Sequence, residues 1–298
     1  MPNAQPSITA RNVATAVTAA WQRTSNNPST LEIPLGTVAT LALHTQINGR
    51  SEHSTCPLGQ LDRTDLLRAL TETWARTWLD HPYLVQIASP LHRWLDADAD
   101  VSDETVRAIR AVLDAAHHAG LPRLVDRPHS VPAVDALGFL VTELRPARAL
   151  QHLGEFYTPP EVADVMAALT MPELPSPGRL FADPTAGTGG LLAATVNRIR
   201  ALGGDPAHYG WELVDINHLS VACAAANAIV WGLGDHMLVY RADSLAPGDH
   251  RADAVTMRAQ VLEHHRTVVR AARLAALLTL RTQGDVSAPA TAFAAAVS

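Results

Sequence analysis

The sequence predicts an α/β chain in which a helical N-terminal region precedes a doubly wound parallel sheet. Three observations predict it. Residues 1 to about 150 carry apolar side chains at three- and four-residue spacing, the signature of helices that bury one face. The second half alternates short apolar runs with helical stretches in units of roughly 30 residues, as strand–helix–strand units do. Between strand and helix lies Leu180-Phe-Ala-Asp183-Pro184-Thr-Ala-Gly187-Thr-Gly189-Gly190, an apolar run that ends in an acid and a glycine-rich turn. That is the layout of the first strand, loop and helix of a nucleotide-binding domain.

Taken in order, residues 8–24, 36–47, 64–79 and 102–119 read as helices, and 25–34 and 48–57 as polar loops. Ser102 suits a helix start, with Asp103 and Glu104 in the first turn. A polar break at 123–132 precedes a further apolar segment that begins Val134-Asp135-Ala136-Leu137-Gly138. Thr158-Pro159-Pro160-Glu161 has the form of a capping box that opens a helix running through Leu169. Strands are expected at 180–182, 209–214 and 237–241, with helices at 190–202 and 217–231 between them. The reading divides the chain into a helical N-terminal domain (1–132), a cofactor-binding domain (133–285) and a flexible Ala-rich tail (286–298).

The glycine turn narrows the ligand. Glycines let backbone approach a ligand closely, and a helix N-terminus offers unpaired N–H groups. Dinucleotide sites carry a third glycine in G-x-G-x-x-G, where this chain has Leu192. A carboxylate entering the loop at Asp183 suits a cationic small ligand such as S-adenosylmethionine better than a pyrophosphate.

The surrounding motifs agree with it. Gly154-Glu155-Phe156-Tyr157-Thr158-Pro159 lies upstream, and Gly210-Trp211-Glu212-Leu213 and Arg241-Ala242-Asp243-Ser244-Leu245 lie downstream. In this order and spacing the set resembles the N6-adenine DNA methyltransferases, particularly the modification subunits of type I restriction systems. The resemblance spans roughly residues 133–256 and four motifs. It implies a Rossmann-like, S-adenosyl-L-methionine-dependent methyltransferase domain, with the segment from Val134 as its lead-in helix. It also implies cofactor contacts from Tyr157, Thr158, Pro159, Asp183, Gly187, Gly189, Glu212 and Asp243. Glu212, at the end of the second strand, is expected to take both ribose hydroxyls. Asp215 is its rival, with helix capping at Asn217 as its other role. The implied partners are DNA, reached through a partner or specificity subunit, and a second methyltransferase chain.

One element of the family pattern is missing. An Asn/Asp-Pro-Pro-Phe/Tyr tetrapeptide, which holds the flipped adenine in that family, is expected after a fourth strand near Asp253-Ala-Val255. Arg258-Ala259-Gln260 stands there instead, and the tetrapeptide occurs nowhere in the chain. The domain is therefore read as incomplete and its catalytic residues as unknown. The nearest likeness, Asp80-His81-Pro82-Tyr83, follows a helical pattern and reads as a helix end.

Composition limits the remaining classes. Net charge is −6 with pI near 6.1, so the surface as a whole does not seek phosphate. Hydrophobic content of 47% and charged content of 17% describe a folded protein. No apolar run approaches the roughly 20 residues that span a bilayer, and the start lacks a secretion signal. Two cysteines make no disulfide framework, so a cytoplasmic protein is expected. Glu263, His264 and His265 lack metal-ligand spacing, and no metal is expected. Arg266, Arg270 and Arg273 share a helix face that reads as solvated.

Overall fold

The computed structural model describes residues 4–49, 55–96, 101–126, 131–145 and 157–282. Gly154, Glu155 and Phe156, and the expected tail 286–298, lie outside the described residues. The N-terminal region is helical: α1 (Ala4–Thr24), α2 (Glu32–Asn48), α3 (Arg63–Asp80), α4 (Pro82–Ile87), α5 (Asp103–His118), α6 (Leu121–Leu124) and α7 (Ala136–Leu144). Helix α2 begins four residues before the expected Gly36. Pro34 is accommodated in its first turn, where backbone N–H groups have no helical partner anyway. Ser102 caps α5 by accepting the Thr105 amide, as its sequence position suggests.

Then come α8 (Pro160–Thr170), β1 (Leu180–Asp183), α9 (Gly190–Ala201), β2 (Gly210–Asp215), α10 (His218–Val230), β3 (Met237–Arg241) and α11 (His250–Thr282). Thr158 does not cap α8. With two prolines in a row, Pro160 takes the first helical position and Pro159 the cap, one residue later than a Thr158 box requires. Asn217 does cap α10, accepting the Leu219 and Ser220 amides.

The three strands pair in parallel in the order β1-β2-β3. Among the described residues this sheet is smaller than the expected doubly wound one and winds in a single direction. The segment expected as a fourth strand, around Asp253–Val255, is the start of α11. Its cause is local. No glycine or proline occurs between Asp249 and Thr282, the stretch is rich in Ala and Arg, and Asp249 accepts the Ala252 amide at 3.0 Å.

Helix α10 runs against the sheet and against α2 and α4, and every residue from Leu219 to Val230 is buried. One continuous apolar cluster joins Val17, Trp21 and Leu35 of the N-terminal helices to Trp211, Ala225 and Val239. The outer edge of β3 is closed by Tyr83, whose hydroxyl donates to the Val239 carbonyl (2.6 Å) and accepts its amide (3.1 Å). Asp80–Tyr83 is thus a helix boundary with a buried ring, and Pro82 is the first residue of α4. The other edge differs: Leu180 and Ala182 of β1 are exposed. Near it in sequence, α8 packs Ala163 and Ala167 against Ala194 and leaves Val162, Val165, Met166 and Leu169 exposed. Among the described residues no helix is long and apolar enough to cross a membrane.

Candidate functional site

Parallel strands finish at one edge of a sheet, and here that edge is acidic. Asp183 ends β1, Asp215 ends β2, and Asp243 lies two residues past β3. The register pairs Asp183 with Leu213 and Val214 with Tyr240. Because side chains alternate, Asp183, Leu213 and Asp215 share one face while Glu212 and Tyr240 share the other.

The loop from β1 to α9 depends on two left-handed residues, Gly187 (φ 55°) and Gly189 (φ 103°), where a side chain would be strained. Asp215 accepts the Gly187 amide at 2.8 Å and the Asn217 amide at 2.8 Å, so it holds the loop and opens α10 at once. Asp183 accepts the Thr185 amide at 3.0 Å. Burial pushes its carboxyl above the ordinary 3.8; the Asp215 charge adds to that push, and the Thr185 bonds oppose it. The Tyr157 ring faces the loop, since a Cβ on Gly187 would lie 3.8 Å from its Cε1. Thr158 and Pro159 carry the chain from there into α8.

Asp243 is exposed and closes its own turn by accepting the Leu245 amide at 3.0 Å. Ser244 donates to the Pro184 carbonyl, which ties the loop after β3 to the loop after β1. Two apolar side chains stand open at this edge, Ile216 at 61% and Leu245 at 95% exposure.

Glu212 is not brought to the glycine loop. It is buried on the opposite face, with Oε1 accepting the Tyr240 hydroxyl (3.0 Å) and Oε2 accepting Nε of Arg251 (2.9 Å). Burial, and then this carboxylate, push the Tyr240 hydroxyl up to about 12. Both oxygens expected to take the ribose are thus engaged by the protein itself, and the acid beside the loop is Asp215.

Two further residues, Asp135 and Asn227, back the loop through Thr188. Asp135 caps α7 and accepts the Gly138 amide (2.8 Å), the Asn227 side-chain amide (2.8 Å) and the Thr188 hydroxyl. The sequence held a faint signal of this: Asn227 is a polar side chain in an otherwise apolar helical stretch, and Asp135 precedes another. Among the described residues no group of three or more His, Cys, Asp or Glu is placed to hold a metal ion.

The profile of the N-6 DNA methylase family matches residues 135–262. No curated protein sequence matches the chain. Among solved structures, the type I restriction-modification system methyltransferase subunit from Streptococcus thermophilus is similar, with a TM-score of 0.45 and 16% identity. The match covers 82% of this chain and 60% of that subunit, so this chain spans about three-fifths of the subunit's length. Residues 135–262, less than half of the chain, are thus similar to the N-6 DNA methylase family.

Proposed function

We propose that this chain binds S-adenosyl-L-methionine and forms the cofactor-holding portion of an adenine-N6 DNA methyltransferase of a restriction-modification type system. The observation that carries the reading is the meeting of Asp183 and Asp215 on one face beside the glycine loop. Two carboxylates held close together repel, and a cationic ligand that also carries hydroxyls relieves that repulsion. The donor set fits the cofactor. Asp183 receives its ammonium end. Asp215, in place of Glu212, takes the ribose hydroxyls with the lone pairs left after two amide bonds. Asp243 accepts from the adenine amine, and Ile216 and Leu245 offer apolar surface to the base. Tyr157, Thr158 and Pro159 stand at the methionine end, with Gly187 and Gly189 allowing close approach. The bound cofactor supplies an activated methyl group.

The cofactor-binding region spans 133–285 and leans on the helical region before it. Strands β1–β3 are then one winding of a doubly wound, Rossmann-like sheet. The residues that hold the flipped adenine come from a second methyltransferase chain, and DNA is reached through that partner or a specificity subunit. Three features support this: the missing tetrapeptide, helix α11 where the family pattern has a fourth strand, and the open β1 edge beside a closed β3 edge. Two buried free cysteines suit a reducing compartment, the cytoplasm.

A second reading is a catalytically degenerate fold kept for DNA or protein contacts, and the same helix α11 favours it. Photocrosslinking of methyl-labelled cofactor, competed by S-adenosylhomocysteine, separates the two. The proposal predicts competed label within residues 157–190; no competed label at millimolar cofactor would leave only the interaction module.

A further inference from the structure

Thr188 sits between the two left-handed glycines and is fully buried. It is held at both ends. Its hydroxyl donates to Oδ2 of Asp135, and its carbonyl accepts from the Asn227 amide at 2.9 Å. Asn227 has two amide hydrogens; the second goes to Oδ1 of Asp135. Asp135 in turn is anchored by the Gly138 amide, and no side chain fits at Gly138: a Cβ there would lie 2.2 Å from Oδ2 of Asp135 and 2.5 Å from the Thr188 hydroxyl.

The segment that carries Asp135 is itself pinned. Asn197 of α9 donates to the Ala133 carbonyl (2.9 Å) and accepts its amide (2.7 Å). Arg200, one turn on, donates to the carbonyls of Val131 and Trp231. Residues 131–138 therefore cross behind α9, the loop and α10 and bind all three.

The geometry points to Asp135, Thr188 and Asn227 as a positioning clamp that holds the Gly187–Gly190 loop in its ligand-receiving shape. None of the three touches the ligand; they act through the backbone of the loop. The inference rests on the cofactor reading for its functional consequence. The arrangement of the free loop can be tested without it.

Thr188→Val removes the donated hydrogen at nearly constant volume, and Thr188→Ser keeps it. The amides of Gly187 and Gly189 do not donate to water while bonded to Asp215 and Ala186, so hydrogen exchange of the 184–192 segment reports the clamp in ligand-free protein. Thr188→Val is expected to speed that exchange and to weaken S-adenosylmethionine binding, each by at least about tenfold, the effect of one unmet buried bond. A segment of α5 should exchange as in wild type, and Thr188→Ser should stay within about threefold of wild type in both readouts. Thr188→Ala serves if the valine variant does not fold. Wild-type exchange and affinity in Thr188→Val, equal damage from Thr188→Ser, or equal acceleration in α5 would each overturn the clamp. If wild type binds no cofactor, the cofactor reading fails, and the exchange contrast alone decides the clamp.

Discussion

A proton is the simplest probe of the acidic edge. Burial holds the Asp183 carboxyl above its ordinary 3.8. Between the unfolded and the raised folded value the native state binds more protons, so stability falls as pH rises through that window. Cofactor binding works in the opposite sense. A cation selects the ionised carboxylate, so affinity falls as pH drops through the folded value, and binding in the window releases a proton. Titration calorimetry across pH values above the ordinary 3.8, in two buffers of different ionisation heat, measures that release, which is expected in wild type and lost in Asp183→Asn. At this scale the sequence was half legible. The position of Asp183 at the strand end was readable, because a short apolar run closed by an acid and a glycine turn marks where a strand stops. Glu212 and Asp215 were not separable, because the choice depends on strand register: β2 runs one residue past the expected Val214, which puts Asp215 on the face of Asp183. Nothing in the sequence shows that Tyr240 and Arg251 already hold Glu212.

The same contrast holds among the elements. The strands were legible to within a residue because each is a short apolar run closed by a turn signal, and the third matches at both ends. Helix α11 was misread through the family pattern, although its own composition spelled a helix from Asp249 onward. The Thr158 capping box failed because the second proline moved the helix start. The glycine loop offers a direct check on the elements it joins. At Gly189 the backbone has φ 103°, and a Cβ would lie 3.3 Å from the Trp231 ring. Gly189→Ala should cost about 1–3 kcal/mol, a midpoint drop of several degrees in thermal unfolding. An unchanged midpoint would mean that the loop adopts another shape.

For the whole molecule, the sequence suggested a cofactor domain that begins at residue 133, whereas the packing joins it to the helices before it. Helix α10 is buried against α2 and α4, α7 packs on α1, and Tyr83 closes β3. A fragment 133–285 should therefore show little cooperative unfolding by circular dichroism, because it exposes the face of α10 and the edge of β3; a sharp transition would show that the fragment is self-sufficient. A cofactor pocket built on Asp183 and Asp215 is probed without intermediaries by titrating the purified chain with S-adenosyl-L-methionine in a calorimeter. Wild type, Asp183→Ala, Asp215→Ala and Glu212→Ala would be compared, with thermal unfolding of each beside them. Saturable binding is expected in wild type, falling at least about tenfold in the Asp183 and Asp215 variants, the scale of a lost charge-assisted bond. Glu212→Ala should instead lower the unfolding midpoint, by releasing Arg251 and Tyr240, and largely spare affinity. No heat at millimolar cofactor, or loss of binding only in Glu212→Ala, would contradict the pocket.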